Sequence, residues 1–212
     1  MNYTYIGLGL LGIYLVMQQS HKVLLSTERA FGDLNAAQEN AVKLITAAFK
    51  RYGDGDKRKL AYILATAWHE SKFLPVRELR AKWGTALYEL QNRYWNTGYY
   101  GRGYVQLTWE ENYRKFSQIL GVDLVKNPDL ALNPKYAADI LVIGMMKGLF
   151  TGRKLSDYIN KQGYDYVNAR RVVNALDRAQ LISDYTNDLK DEGIAGVVDP
   201  KIICETCEML LI

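Results

Sequence analysis

His69-Glu70-Ser71 closes an apolar run, and some thirty residues later the chain reads Tyr99-Tyr100-Gly101-Arg102-Gly103-Tyr104-Val105-Gln106-Leu107-Thr108-Trp109. This sets one carboxylate opposite a wall of rings, amides and hydroxyls, with glycines that let backbone approach a ligand closely. Such a combination suits cleavage of a sugar polymer, because aromatic faces stack on pyranose rings. Between Lys57 and Phe73, Leu60, Leu64, Ala67 and Trp68 share one helical face, and Ile63, Ala67 and Glu70 run along its edge. Glu70 therefore stands at the rim of a buried stripe, about one turn before Pro75 stops the helix. Partial burial and the negative helix end both favour the protonated carboxyl, the form that general-acid cleavage of a glycosidic bond requires. A buried or capping glutamate without chemistry fits the same motif.

Two further acids qualify as a second carboxylate, Glu78 in Pro75-Val76-Arg77-Glu78 and Glu89 in Ala86-Leu87-Tyr88-Glu89-Leu90. An inverting glycosidase holds its base about 6.5–9.5 Å from the acid, and a retaining one holds its nucleophile about 5–5.5 Å away. Glu89 reads as part of a short solvated helix and is the alternative base. Thr108-Trp109-Glu110-Glu111 matches a capping box, which gives Glu110 and Glu111 a structural duty.

Other chemistries fail on single positions. A zinc-protease helix starting at His69-Glu70 needs histidine at 73, where Phe73 stands, and a dinucleotide fingerprint at Gly101-Arg102-Gly103 needs glycine where Gln106 stands. A calcium loop opening at Asp54 would end on Ala65 instead of glutamate. Cys204 and Cys207 supply neither a zinc site nor a disulfide framework. No metal or cofactor is expected. The net charge of +4, with 16 tyrosines and 4 tryptophans, suits an anionic polymer. The densest basic block, Lys57-Arg58-Lys59, reads as solvated charge, so no nucleic-acid partner is expected.

Periodicity and capping predict helices over Leu34–Tyr52, Lys57–Phe73, the stretch from Thr108 to Gly121, Pro134–Phe150, Leu155–Ile159, Asp165–Val173 and Asp177–Leu189. Tyr104 to Thr108 reads as extended, and the polar, turn-rich stretch Leu79 to Tyr100 suits a small β-hairpin with loops. The expected class is mainly α, a bundle-like helical body with a hairpin and loop lobe flanking a cleft. At 212 residues the chain suits one catalytic domain, 23–194, between an apolar segment 1–22 and a tail 195–212. Residues 1–20 carry no charged side chain. Tyr3 to Met17 as a helix would cover about 22 Å of a hydrocarbon core about 30 Å thick, a marginal span. A basic leader and a small-x-small cleavage motif are both missing, which favours a retained membrane anchor over a cleaved signal; a buried core helix is the alternative.

With these residues assembled, the chain resembles glycoside hydrolase family 19, the chitinase and endolysin family, and especially its short bacterial and phage members. The resemblance rests on Ala61 to Glu70, Pro75 to Glu78, Tyr99 to Trp109 with Asn112-Tyr113, Gly121 to Leu124 with Asn127 to Leu130, Phe150 to Leu155 and Asp165 to Asn174. It implies a lysozyme-like α+β fold and an inverting mechanism. Glu70 matches the general acid, Glu78 the base and Thr108 the hydroxyl that holds the attacking water. Gln106, Asn112 and Asn174 match sugar-contacting positions, with Tyr100 and Arg102 beside them, and His69 looks like an orienting residue or a plain core histidine. Arg178 and Asp177 correspond to a charged pair behind the acid, although Ala175-Leu176 departs from the family's Gly-Gly. The expected substrate is peptidoglycan, with chitin as the alternative. The preference comes from residues 3–17, which suggest a bacterial membrane, an envelope or periplasmic setting or a phage particle, and virion or envelope partners. An anchored wall-binding protein that has lost catalysis is the competing reading.

Overall fold

The computed structural model describes residues 20–194. The expected apolar helix over 3–17, the Cys204 and Cys207 pair and the tail 195–212 lie outside the described residues. Helix α1 (residues 20–31) buries Val23 and Leu24, anchors Ser26 Oγ on the Glu192 carbonyl at 2.7 Å, and stacks Phe31 on Trp68 at 4.8 Å. The expectation of a membrane-associated protein is thereby corrected. Among the described residues no helix is long and apolar enough to cross a membrane, and α1 spends its apolar face on the body of the protein.

Helix α2 (Ala36–Tyr52) starts at a capping box in which Asn35 and Gln38 each satisfy the other's backbone N–H. Asp56 caps α3 (Lys57–Ser71), whose residues from Lys59 to Ala67 are all buried. This helix stops two residues earlier than its apolar period predicts. Lys72 and Phe73 turn left-handed, at φ 51° and 59°, and Phe73 folds back to pack on Trp68 at 5.4 Å, so the chain leaves the helix before Pro75. Pro75 thus leads into β1 (Val76–Arg77).

The stretch Leu79 to Tyr100 forms no hairpin of its own. It holds a short helix, α4 (Ala86–Gln91), and a 3-10 turn (Trp95–Thr97), while the partner of β1 is β2 (Arg102–Gly103), antiparallel, with Val76 opposite Gly103. The reason is local composition: the segment lacks the two-residue alternation a hairpin needs, and Leu79 and Trp83 are both more than 80% exposed. The remaining elements are α5 (Glu110–Leu120), α6 (Pro134–Lys147), β3 (Ile159–Asn160) paired with β4 (Gly163–Tyr164), α7 (Tyr166–Ala169) and α8 (Ala179–Asp191). Asn133 caps α6 and Gly121 ends α5 in the left-handed region, as the sequence predicts.

Helix α6 is the apolar centre, with every residue from Ala137 to Met145 buried; α2 packs on it, and α3 packs on α8. Asp139 is buried on α6, and Arg51 pairs with it at 2.5 Å. Gly144 is where α6 meets Phe150, whose ring occupies the space of an added methyl group. Gly144→Ala should therefore lower stability. The gain in helix propensity, about 1 kcal/mol, is smaller than the cost of displacing a packed ring, about 1–3 kcal/mol. Thermal unfolding checks it; a raised midpoint would show that Phe150 moves without penalty.

Candidate active site

Glu70 sits in the last turn of α3 with its side chain 19% exposed, and Arg170 Nη1 donates to its Oε1 at 2.5 Å. Arg170 follows α7 in a 3-10 turn, is 3% exposed, and steadies its guanidinium by donating from Nε to the Asp177 carbonyl at 3.0 Å. The partner behind Glu70 is therefore Arg170. Arg178, expected there, is exposed and opens α8 in a left-handed conformation, while Asp177 contributes only its backbone oxygen. The sequence did carry a signal, since Arg170 falls among Val167, Ala169, Val172 and Val173, where a charge on an apolar face needs a buried partner. Partial burial and the helix end are what spacing alone predicts for Glu70; the structure adds a buried guanidinium as its partner.

Glu78 leaves the end of β1 and is held by three donors. Tyr94 Oη donates to Oε1 at 2.7 Å, Gln91 Nε2 donates to the same oxygen at 2.9 Å, and the Gly101 N–H donates to Oε2 at 2.8 Å. The Glu78 N–H returns a bond to the Gly101 carbonyl at 2.8 Å. Burial first, and the neighbouring carboxylate second, push the Tyr94 phenol above its ordinary range, so it remains a donor. No motif marked Gln91 or Tyr94.

The polar wall is a tight loop instead of the expected extended strand. Arg102 and Leu107 exchange backbone hydrogen bonds at 2.8 and 3.2 Å, which closes a turn through Gly103 at φ 84° and Gln106 at φ 54°. Gln106 Nε2 donates to the Val76 carbonyl at 3.0 Å, Thr108 Oγ1 donates to the Gln106 carbonyl at 2.9 Å, and Asn112 Nδ2 donates to the Thr108 carbonyl at 2.8 Å. The capping box predicted at Thr108 is absent: Trp109 takes the cap position at φ 75° with no side-chain bond, because the Thr108 hydroxyl is turned to Gln106. Gln106, Thr108, Trp109 and Asn112 line a small pocket of about 130 Å³ with Val105, Leu107, Phe150 and Val173. This pocket joins two expected sugar-contacting residues, Gln106 and Asn112, with the expected water-holding Thr108; Glu70 and Glu78 are not in its lining. A pocket of about 220 Å³, lined by Thr46, Phe49, Lys57 and Leu60 among others, holds none of the expected residues.

The other expected contacts divide. Arg102 is corrected from a substrate contact to a scaffold residue. It is 4% exposed, and its guanidinium bonds Asp129 at 2.8 Å and the carbonyls of Gly98 and Tyr100 at 2.9 and 3.0 Å. Tyr100 stacks on Trp95 at 4.5 Å and accepts from Arg77 at 3.2 Å, which commits its ring and hydroxyl to packing. Asn174 is exposed, with its side chain accepting from the Ala175 N–H at 2.8 Å. Glu89 is exposed on α4 and accepts from Asn92 at 2.9 Å, a bond within its own turn; the structure gives it no tie to the wall. Among the described residues no cluster suits a metal ion.

His69, partly buried beside Glu70, is held below its ordinary value of 6.5 by burial, which outweighs the Glu70 charge. The unfolded chain then binds the proton more readily, so this residue's contribution to stability should fall as pH drops through 6.5. An NMR titration of the ring should give a midpoint below 6.5, and one at or above that value would contradict the burial argument.

Residues 82–143 match the family model for glycoside hydrolase family 19, described as chitinase class I. Chitinase 8 of Oryza sativa subsp. japonica is 47% identical over 49 residues, 23% of this chain and 19% of that protein. An endochitinase of Avena sativa is 36% identical over 88 residues, 39% of this chain and 38% of that protein. The chain thus spans well under half the length of these curated relatives. In fold it is similar to chitinase C from Streptomyces griseus, with a TM-score of 0.54, 22% identity and coverage of 82% of this chain and 91% of that one. It is equally similar to another bacterial family 19 chitinase, at a TM-score of 0.53, 22% identity and coverage of 82% and 94%. The helical fold with its paired small strands is thus similar to that of bacterial family 19 chitinases, and residues 82–143 carry the match to the family 19 model.

Proposed function

We propose that the chain hydrolyses β-1,4 bonds between amino sugars with inversion, Glu70 acting as general acid and Glu78 as general base. The observation that carries this reading is the attachment of Glu78 to the wall. One hydrogen bond to Gly101 and the β1–β2 pairing tie the second carboxylate to the loop bearing Gln106 and Thr108. Arg170 fixes Oε1 of Glu70, which leaves Oε2 to carry the catalytic proton. In the step, a water held near Thr108 attacks the anomeric carbon and gives its proton to Glu78. The glycosidic bond breaks as its oxygen takes the Glu70 proton, and solvent then resets both carboxyls.

Chitin-type polymers are the substrate class this reading favours, because the relatives are named chitinases and endochitinases. The preference for peptidoglycan, and with it a phage lysis role, rests on residues 3–17, which lie outside the described residues, and the named relatives add nothing to it. A binding protein without catalysis is the second reading, favoured by a 59% identical stretch of 32 residues in the inactive chitinase-like protein 1 of Hevea brasiliensis, 15% of this chain and 10% of that one.

Chitin oligomers and purified peptidoglycan, digested in parallel, should yield new reducing ends from chitin first, and NMR at early times should record the α-anomer. Clearing of peptidoglycan with chitin untouched would sink the substrate choice, and the β-anomer would sink inversion. Glu70→Gln should lower turnover by about 10²–10⁴-fold, the contribution of a general acid; unchanged turnover would remove Glu70 from the acid role. No cleavage of either polymer, with binding retained, would support the second reading.

A further inference from the structure

We infer that Tyr94 and Gln91 are positioning residues that occupy Oε1 of Glu78 and make Oε2 the atom that takes the proton from the attacking water. The inference rests on the assignment of Glu78 as base. A carboxylate offers about four lone-pair sites, two on each oxygen. Tyr94 and Gln91 fill both sites on Oε1, at 2.7 and 2.9 Å, while Oε2 accepts only the Gly101 N–H, at 2.8 Å. The free site is therefore on Oε2, and that oxygen borders the wall. A methyl group on Gly101 would come within 3.1 Å of Glu78 Oε2 and 2.8 Å of Gln106 Oε1, which places the carboxylate oxygen and the wall amide around the same point. Gly101 thus leaves room there that no other residue would leave.

Both positioning groups are themselves locked. Gln91 is 1% exposed, its Oε1 accepts the Ala81 N–H at 2.7 Å and its Nε2 also donates to the Leu79 carbonyl at 2.9 Å, so the amide has one orientation that satisfies all three bonds. Tyr94 is 8% exposed, and Trp109, which lines the pocket beside Thr108, packs edge-on against its ring at 5.1 Å. The aromatic that borders the pocket therefore also braces the phenol that aims Glu78. The charged groups nearby are Arg80, which acts on the Tyr94 phenol, and Arg77, engaged with Asp129 and Tyr100. Loss of the Tyr94 hydroxyl leaves both in place.

Tyr94→Phe keeps the ring and its contact with Trp109 and removes one donor from the carboxylate. Turnover of a chitin oligomer is measured against pH and expressed per folded molecule, with the thermal midpoint recorded beside it. The acidic limb of the kcat profile should move up by about one pH unit, with kcat lowered and KM changed by less than about twofold. Gln91→Met should move the limb in the same direction, and it carries the test should Tyr94→Phe not fold. An acidic limb that stays in place in the folded variant, whatever its stability, overturns the positioning role. Undiminished turnover in Glu78→Gln would instead overturn the base assignment on which the inference stands.

Discussion

The short pairing of β1 with β2 is the constraint on which the rest of the site depends. Two residues from just beyond α3, Val76 and Arg77, meet Gly103 and Arg102 across a segment that itself forms α4 and a turn. The bonds between Glu78 and Gly101 extend this pairing by one step. So small a sheet is marginal by itself. It is reinforced from behind by Arg102, buried and bonded to Asp129, Tyr113 and two carbonyls, and by Arg77 on the other oxygen of Asp129. Asp129 thereby clamps both strands, and the two arginines hold its carboxyl below the usual range despite the opposing effect of burial.

The two carboxylates of the proposed mechanism are held in opposite ways. Glu70 faces a buried guanidinium, a charged partner whose removal would leave a partly buried carboxylate unpaired. Glu78 is held by neutral donors, a phenol, an amide and a backbone N–H, which fix its direction without neutralising its charge. A charge partner for one and a dipolar cradle for the other give two acids of the same residue type different environments, which acid and base duties require.

Backbone strain gathers on the wall. Gln106 and Trp109 both lie in the positive-φ region although neither is glycine, and each is held there by specific bonds, Gln106 through Val76 and Gly103, Trp109 through its N–H on the Tyr99 carbonyl. Conformations of this kind cost about 1–3 kcal/mol each and persist where the surroundings over-determine them. Here the result is a loop that brings Gln106, Thr108 and Trp109 together in the lining of one small pocket.

Local chemistry alone was enough for the helices and their caps. Asn35, Asp56, Asn133 and Gly121 act within one turn of chain, and the apolar period of α3 places Glu70 at the edge of the core whatever the rest of the protein does. The family motifs likewise singled out Glu70, Glu78, Gln106, Thr108 and Asn112, since these are matters of residue type and spacing. The partners are another matter. Arg170 lies 100 residues from Glu70, Tyr94 lies 16 from Glu78, and Thr108, which reads locally as a helix cap, is turned away by a carbonyl two residues back in a loop closed through Arg102. Hydrogen bonds and ion pairs of this reach depend on which elements the core brings together, and no window of sequence contains that information. Spacing along the chain picks out the groups that could react, and only packing decides what holds each of them in place.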